Sequence, residues 1–300
     1  MNGLLIIDKP AGMSSFDVIR RLRRCCRTKK VGHAGTLDPL ATGVLPVALG
    51  SATRLLEYLM ATEKVYRATL QLGAATDTQD SEGRVIATGD WHAVNAGAFE
   101  AACAAMTGTL SQTPPMFSAL KKDGQPLYRL ARQGVEVARE AREVRIESLE
   151  ILAFDPPQAE IEVVCGKGTY IRTLCHDLGA RLGCGAHLTS LRRTRCGHFD
   201  LADSCSLETI ELLAGQDKPL PMLSPAQALA DWPALQVLDG AVDRLRDGIA
   251  PQPDETLGEA APGQRVRLMV GDNLAAVARR VAEEGPEKRF ELLKVFTSVF

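Results

Sequence analysis

The chain opens on Leu4-Leu5-Ile6-Ile7, an apolar run with no polar alternation, which predicts a strand buried on both faces. Lys9-Pro10-Ala11-Gly12 follows as a turn, and Ser14 with Asp17 three residues on forms a capping box that opens a helix. Ile19, Leu22 and Cys26 fall at helical spacing and supply its buried stripe. Val44 to Leu49 is again apolar, and Thr53 to Leu59 predicts a short helix. Lys64 to Leu72 alternates, with Val65, Arg67, Thr69 and Gln71 on one face and Tyr66, Ala68, Leu70 and Leu72 on the other, the pattern of a strand. The acids of Thr76 to Gly83 do not fall at the positions of a calcium loop, so this stretch reads as a polar turn.

Ala96 to Met106 predicts a helix ending near Gly108, and the prolines of Gln112 to Lys122 favour an extended backbone. Asp123 to Arg145 combines helical patterning with charges of both signs, and its Gly124 and Gly134 suggest a mobile arm. Ala159 to Cys165 reads as a strand, Gly166-Lys167-Gly168 as a turn, and Thr169 to Leu174 as the entry to a helix ending near Gly183. A proline-rich linker is expected over Leu223 to Asp231. Beyond it, Arg265 to Val277 has a hairpin pattern and Phe290 to Phe296 that of a further strand, so the C-terminal part predicts a small, barrel-like β domain.

Three hundred residues suffice for a large domain and a small one, and 45% hydrophobic with 24% charged residues excludes a disordered chain. No apolar run approaches the roughly 18 residues of a membrane span, and the N-terminus lacks the basic start and cleavage site of a signal peptide, so a cytoplasmic protein is expected. The net charge of −2 does not itself point to a polyanion. Local charge does: Arg20, Arg21, Arg23, Arg24, Arg27, Lys29 and Lys30 crowd together without an acid, and Arg192, Arg193 and Arg195, with Arg181, form a second basic group. Such clusters suit phosphate contacts, although a solvated helix face has the same composition. The eight cysteines include no C-x-x-C and are expected to be reduced. Cys175-His176, Cys184 with His187, and Cys196 with His198 match no standard zinc spacing, so no metal is expected.

One stretch stands apart. Gly32-His33-Ala34-Gly35-Thr36-Leu37-Asp38-Pro39-Leu40-Ala41-Thr42-Gly43 places a single carboxylate among three glycines, with Pro39 directly after it. Glycine opens conformations closed to other residues and proline fixes the chain direction, so this loop is suited to hold Asp38 in one place. An ordinary turn aspartate bonded to its own backbone has the same local composition.

These motifs resemble the TruB family of bacterial tRNA pseudouridine-55 synthases. The resemblance runs in order through Asp8-Lys9-Pro10, Gly32 to Pro39, Lys64-Val65-Tyr66, Thr76 to Gly83, Gln112 to Pro115 with Ser118 to Lys121, Gly168 to Arg172, and Leu188 to Phe199, and is weaker in the C-terminal part. It implies an α+β pseudouridine-synthase fold, with a central mixed, mainly antiparallel sheet flanked by helices. It also implies a catalytic domain over 1–228 with an arm at about 121–145, and a PUA-like RNA-binding domain over 232–300. Carried over residue by residue, Asp38 is the catalytic aspartate, Arg172 its partner and Tyr66 the residue against the target base. His33 assists nucleotide flipping, and Tyr170 and Leu191 line the uridine pocket. Phe117 stands where the family usually has a tyrosine.

The implied activity is isomerisation of a tRNA T-arm uridine to pseudouridine, by a monomer that needs no metal or organic cofactor. Three other readings are open to the residues. They are an RNA-binding or RNA-folding protein with a structural Asp38, a zinc hydrolase built on the Cys/His pairs, and a relative that works with a guide RNA.

Overall fold

The computed structural model describes residues 1–122, 124–281 and 290–296; Asp123 of the expected arm, and 282–289 and 297–300 of the expected C-terminal domain, lie outside them. The elements, in chain order, begin with β1 (Gly3–Lys9), α1 (Ser15–Cys25), β2 (Val31–His33), β3 (Thr42–Leu49), α2 (Leu56–Met60), β4 (Lys64–Leu72), β5 (Ala74–Thr76), β6 (Val85–Thr88), α3 (Ala96–Ala104) and β7 (Gly108–Gln112). They continue with β8 (Lys121–Lys122), β9 (Gln125–Pro126), α4 (Leu127–Arg132), β10 (Arg142–Asp155), β11 (Gln158–Cys165), α5 (Ile171–Arg181), β12 (Ala186–Cys196), β13 (Phe199–Asp200), β14 (Cys205–Ser206) and α6 (Leu207–Gly215). The last are β15 (Ala234–Val237), α7 (Asp239–Arg246), β16 (Thr256–Leu257), β17 (Arg265–Val270), β18 (Asn273–Arg280) and β19 (Phe290–Val295).

The central sheet follows the order β14-β1-β3-β12-β4-β11-β10-β7, with β2 added to β3 and β13 to β12. Among the described residues of this sheet, only β14/β1 and β12/β3 are parallel strand pairs. It is therefore the mixed, mainly antiparallel sheet expected. β1 is apolar throughout because both its faces are covered. Leu5 and Ile7 join the core under α1, α3, α5 and α6, while Leu4 and Ile6 pack on the other side with Tyr58, Leu59 and residues of the C-terminal sheet. That second sheet has the order β16-β15-β17-β18-β19 and carries α7.

Local signals were sound where they were strong. Ser14 accepts from Asp17 N, and the Asp17 carboxylate accepts from Ser14 N, so the capping box is complete. The Lys64 to Leu72 strand has the expected bounds: Tyr66, Ala68, Leu70 and Leu72 are buried, while on the other face Arg67 is exposed and Thr69 and Gln71 partly so. Two readings change. Among the described residues of 123–145, helical structure is confined to α4, and Arg142–Ile146 pair with β7 as the start of a long strand. The expected linker is packed: Leu4 and Leu223 exchange backbone hydrogen bonds at 2.8 Å, and Ala226, Ala228 and Leu229 are buried.

Candidate active site

The loop between β2 and β3 is pinned from several directions. Ser15 Oγ, on the first turn of α1, donates to Leu37 O at 3.0 Å and accepts from Leu37 N at 2.8 Å. Gly12 N donates to Pro39 O at 2.8 Å, and Lys9 Nζ donates to the carbonyls of Met13, Pro10 and, at 3.4 Å, Pro39. Lys9 is fully buried, which pushes its pKa down to about 8; the Asp38 charge acts the other way, and Arg193 adds to the lowering. From the far side, Arg193 Nη2 donates to Gly35 O at 3.1 Å and Nε to Val44 O at 2.7 Å. Glycine is required at position 43: φ is +103°, and a Cβ there would lie 2.1 Å from Arg193 O.

The side chain so presented, Asp38, keeps about a third of its exposure and forms a close ion pair with Arg172, Nε to Oδ2 at 2.9 Å. Arg172 stands on the first turn of α5 and is 3% exposed. Its remaining nitrogens are committed elsewhere: Nη1 donates to Thr78 O at 2.9 Å and Asp80 Oδ2 at 3.2 Å, and Nη2 to Phe117 O at 2.8 Å. Nε is the nitrogen turned to Asp38. Asp80 is itself fixed, its Oδ1 accepting from Thr78 Oγ1 at 2.5 Å and from Glu82 N at 3.1 Å. The guanidinium is thereby aimed by a second carboxylate. The Phe117 substitution leaves this network intact, because the contact made there is a backbone carbonyl.

Burial pushes the Asp38 carboxyl above its ordinary value; Arg172 and Lys9 pull it down, and the Asp80 charge adds to the rise. Tyr66 on β4 pairs across the sheet with Arg193 of β12 and is nearly buried. Burial raises its hydroxyl pKa, and the Arg193 guanidinium beside it opposes that. Leu191 pairs with Ala68 and shares one apolar cluster with Tyr66 and Leu37. Tyr170 precedes α5, its backbone clasped by Gln112 through both N (2.8 Å) and O (3.1 Å). Burial raises its hydroxyl pKa; the Asp38 charge adds to the rise and the Arg172 charge opposes it. His33 is half-buried on β2, and its Nδ1 has no hydrogen-bond partner among the described residues. Burial and Arg193 hold its pKa low, so it is a neutral imidazole at neutral pH.

Three residues of this arrangement are not placed at the Asp38 site by the sequence: Lys9, Asp80 and Arg193. Asp80 lies inside the stretch taken as a polar turn. Arg193 belongs to a basic group expected at phosphates, yet it is 1% exposed, while Arg192 pairs with Asp8 at 2.8 Å and Arg195 with Glu63 at 2.6 Å. That group is therefore structural or already neutralised; among the described residues only Arg181 of the four is exposed and forms no ion pair. The helix group differs. Arg21 is bound to Glu211 and Arg20 to Asp17, but Arg24, Arg27, Lys29 and Lys30 are exposed and form no ion pair among the described residues. Arg23, Lys29, Lys30, Gly50, Ser51 and Arg54 border an open groove of about 590 Å³ beside this surface. The Cys/His pairs do not converge: no group of three His, Cys, Asp or Glu among the described residues is placed to hold a metal.

The family model for the TruB pseudouridylate synthase N-terminal domain matches residues 23–171, and that for the tRNA pseudouridylate synthase B C-terminal domain matches 172–229. The tRNA pseudouridine synthase B of Syntrophotalea carbinolica is 52% identical, covering 99% of this chain and 98% of its own length. That of Geobacter sulfurreducens is 47% identical, covering 99% and 100%. Among solved structures, a chain of a Cbf5-Nop10-Gar1 complex superposes with a TM-score of 0.76 at 27% identity, covering 98% of this chain and 84% of that one. The mixed sheet that carries these residues is thus that of a pseudouridylate synthase fold. Within that class, the chain belongs to the TruB family.

Proposed function

We propose that this protein isomerises a uridine in the T-arm of tRNA, at position 55, to pseudouridine. The observation that carries the reading is the Asp38–Arg172 pair: a partly exposed carboxylate, in a loop pinned from several sides, faces a guanidinium whose two terminal nitrogens also donate elsewhere. The names of its relatives support the substrate, since both are tRNA pseudouridine synthases similar to this chain along almost its whole length.

The reaction breaks the N1–C1′ bond, turns the uracil, joins C5 to C1′ and releases the C5 proton. Asp38 acts at the sugar, as nucleophile at C1′ or as base toward a ribose proton. Arg172 favours the ionised carboxylate and fixes its direction. The target is extruded from its loop at a cost of about a few kcal/mol; a flat, neutral His33 fills the gap it leaves. Tyr66 and Leu191, with Tyr170, hold the detached uracil between an aromatic and an aliphatic surface. The C5 proton leaves to Tyr66 or to water. The exposed cations of α1 and the neighbouring groove hold the RNA backbone, the arm at about 121–145 closes on the loop, and the 232–300 part serves as a PUA-like RNA-binding domain. The eight cysteines, all free, suit action in the reducing cytoplasm.

A binding or RNA-folding protein with a structural Asp38 would have no use for the Arg172 network. Incubating the protein with a T-arm hairpin carrying C5-tritiated uridine separates the two: isomerisation releases tritium, and binding alone does not.

A further inference from the structure

Helix α1 carries a feature that the chemistry above does not use. Phe16 is 61% exposed, although a phenyl ring gains by burial. It lies one residue from Ser15, whose hydroxyl holds Leu37 beside the catalytic aspartate. Counting along the helix, Phe16, Arg20, Arg23 and Arg24 stand at i, i+4, i+7 and i+8, which is one face. The Arg23 guanidinium sits 5.9 Å from the Phe16 ring centroid, and Arg27 follows just past the helix end. An aromatic ring therefore heads a row of cations, at the end of the row nearest the catalytic loop.

A polyanion alone has no need of the ring, and an apolar protein partner would be disfavoured by Arg23 and Arg24, which form no ion pair among the described residues. A nucleic-acid strand meets both requirements, since its bases stack on aromatic faces while its phosphates follow a basic track. We propose that Phe16 is a stacking platform for an unpaired base of the RNA next to the extruded uridine, with Arg23 and Arg24 receiving the adjoining phosphates. This rests on the RNA-substrate reading and adds a specific contact to it. The platform makes no contact with the reacting atoms. It fixes the loop by a neighbouring base and so helps keep the target nucleotide out of its stack.

The test uses the Asp38→Asn protein, expected to hold a T-arm hairpin without turning it over, and measures Kd at several salt concentrations. Phe16→Ala is expected to weaken binding by about fivefold or more, the equivalent of one lost base stack, with an unchanged slope of log K against log salt. Phe16→Trp is expected to bind within about twofold of the parent, with its added fluorescence quenched by the RNA. Arg24→Ala should instead flatten the salt slope by about one phosphate contact. If Phe16→Ala binds as tightly as the parent, or if Phe16→Trp loses as much as Phe16→Ala, the platform is refuted while the RNA-substrate reading stands. If the parent itself binds no hairpin, both fall.

Discussion

Asp80 Oδ2 lies 3.2 Å from Arg172 Nη1, and the two side chains are 5% and 4% exposed. The pair is buried, and it holds the Arg172 guanidinium from the side away from its Nε contact with Asp38. Its contribution is to geometry more than to stability, since an ion pair gains little net free energy from burial.

Asp80→Asn is expected to lower kcat on a T-arm hairpin by about tenfold to a hundredfold, the scale of an ångström-sized misplacement of a catalytic group. Hairpin affinity should stay within a few fold. Single-turnover kinetics beside a binding titration will show whether the loss is confined to the chemical step.

The acidic limb of the pH–rate profile should belong to Asp38, which must be ionised to act. Burial and the Asp80 charge hold its pKa up, so the limb should lie above the ordinary carboxylate value of about 4. Activity is then lost as pH falls through that raised value and retained above it. In Asp80→Asn a negative neighbour is gone and protonation becomes harder, so the limb should move to lower pH. Profiles of kcat/KM for both proteins, read below neutrality, decide this; a limb that moves upward would contradict the charge assignment.

Arg172→Lys should not rescue function. A lysine has one ammonium where the site uses Nε, Nη1 and Nη2 on Asp38, Asp80, Thr78 and Phe117 together. A loss of about a hundredfold or more in kcat is expected, with the fold kept, as measured by turnover and by urea denaturation.

Gly43→Ala tests the other side of the loop. The added methyl would meet Arg193 O at 2.1 Å from a left-handed backbone, which strains the β3–β12 contact. Destabilisation of about 2–4 kcal/mol is expected from the combined strain and clash, visible as a lower urea midpoint. Gly12→Ala, also left-handed but with nothing within 4 Å of the new methyl, should cost clearly less.

What could be seen in the sequence follows the range of the interactions. The capping box of α1 and the alternation of β4 are set by residues three or fewer positions apart, and both are present as expected. The Asp38 loop declared itself through its glycines and proline, and family resemblance supplied Arg172, Tyr66 and Leu191. Asp80 escaped because its partner is 92 residues away and a surface turn has the same polar composition. Arg193 escaped for a related reason: its acceptors on Gly35 and Val44 are 158 and 149 positions distant, and a buried arginine in a basic run looks like its exposed neighbours. The charges of 123–145 obscured the point at which α4 gives way to β10, a strand whose partner β7 precedes it by some thirty residues.

The central claim is that Asp38 performs the chemistry and is not merely a turn residue. Release of tritium from C5-labelled uridine in a T-arm hairpin, compared between the natural protein and Asp38→Asn at equal RNA occupancy, tests it most directly. The account predicts release by the first and none above background by the second, with hairpin affinity nearly unchanged. Release by Asp38→Asn at the natural rate would contradict it.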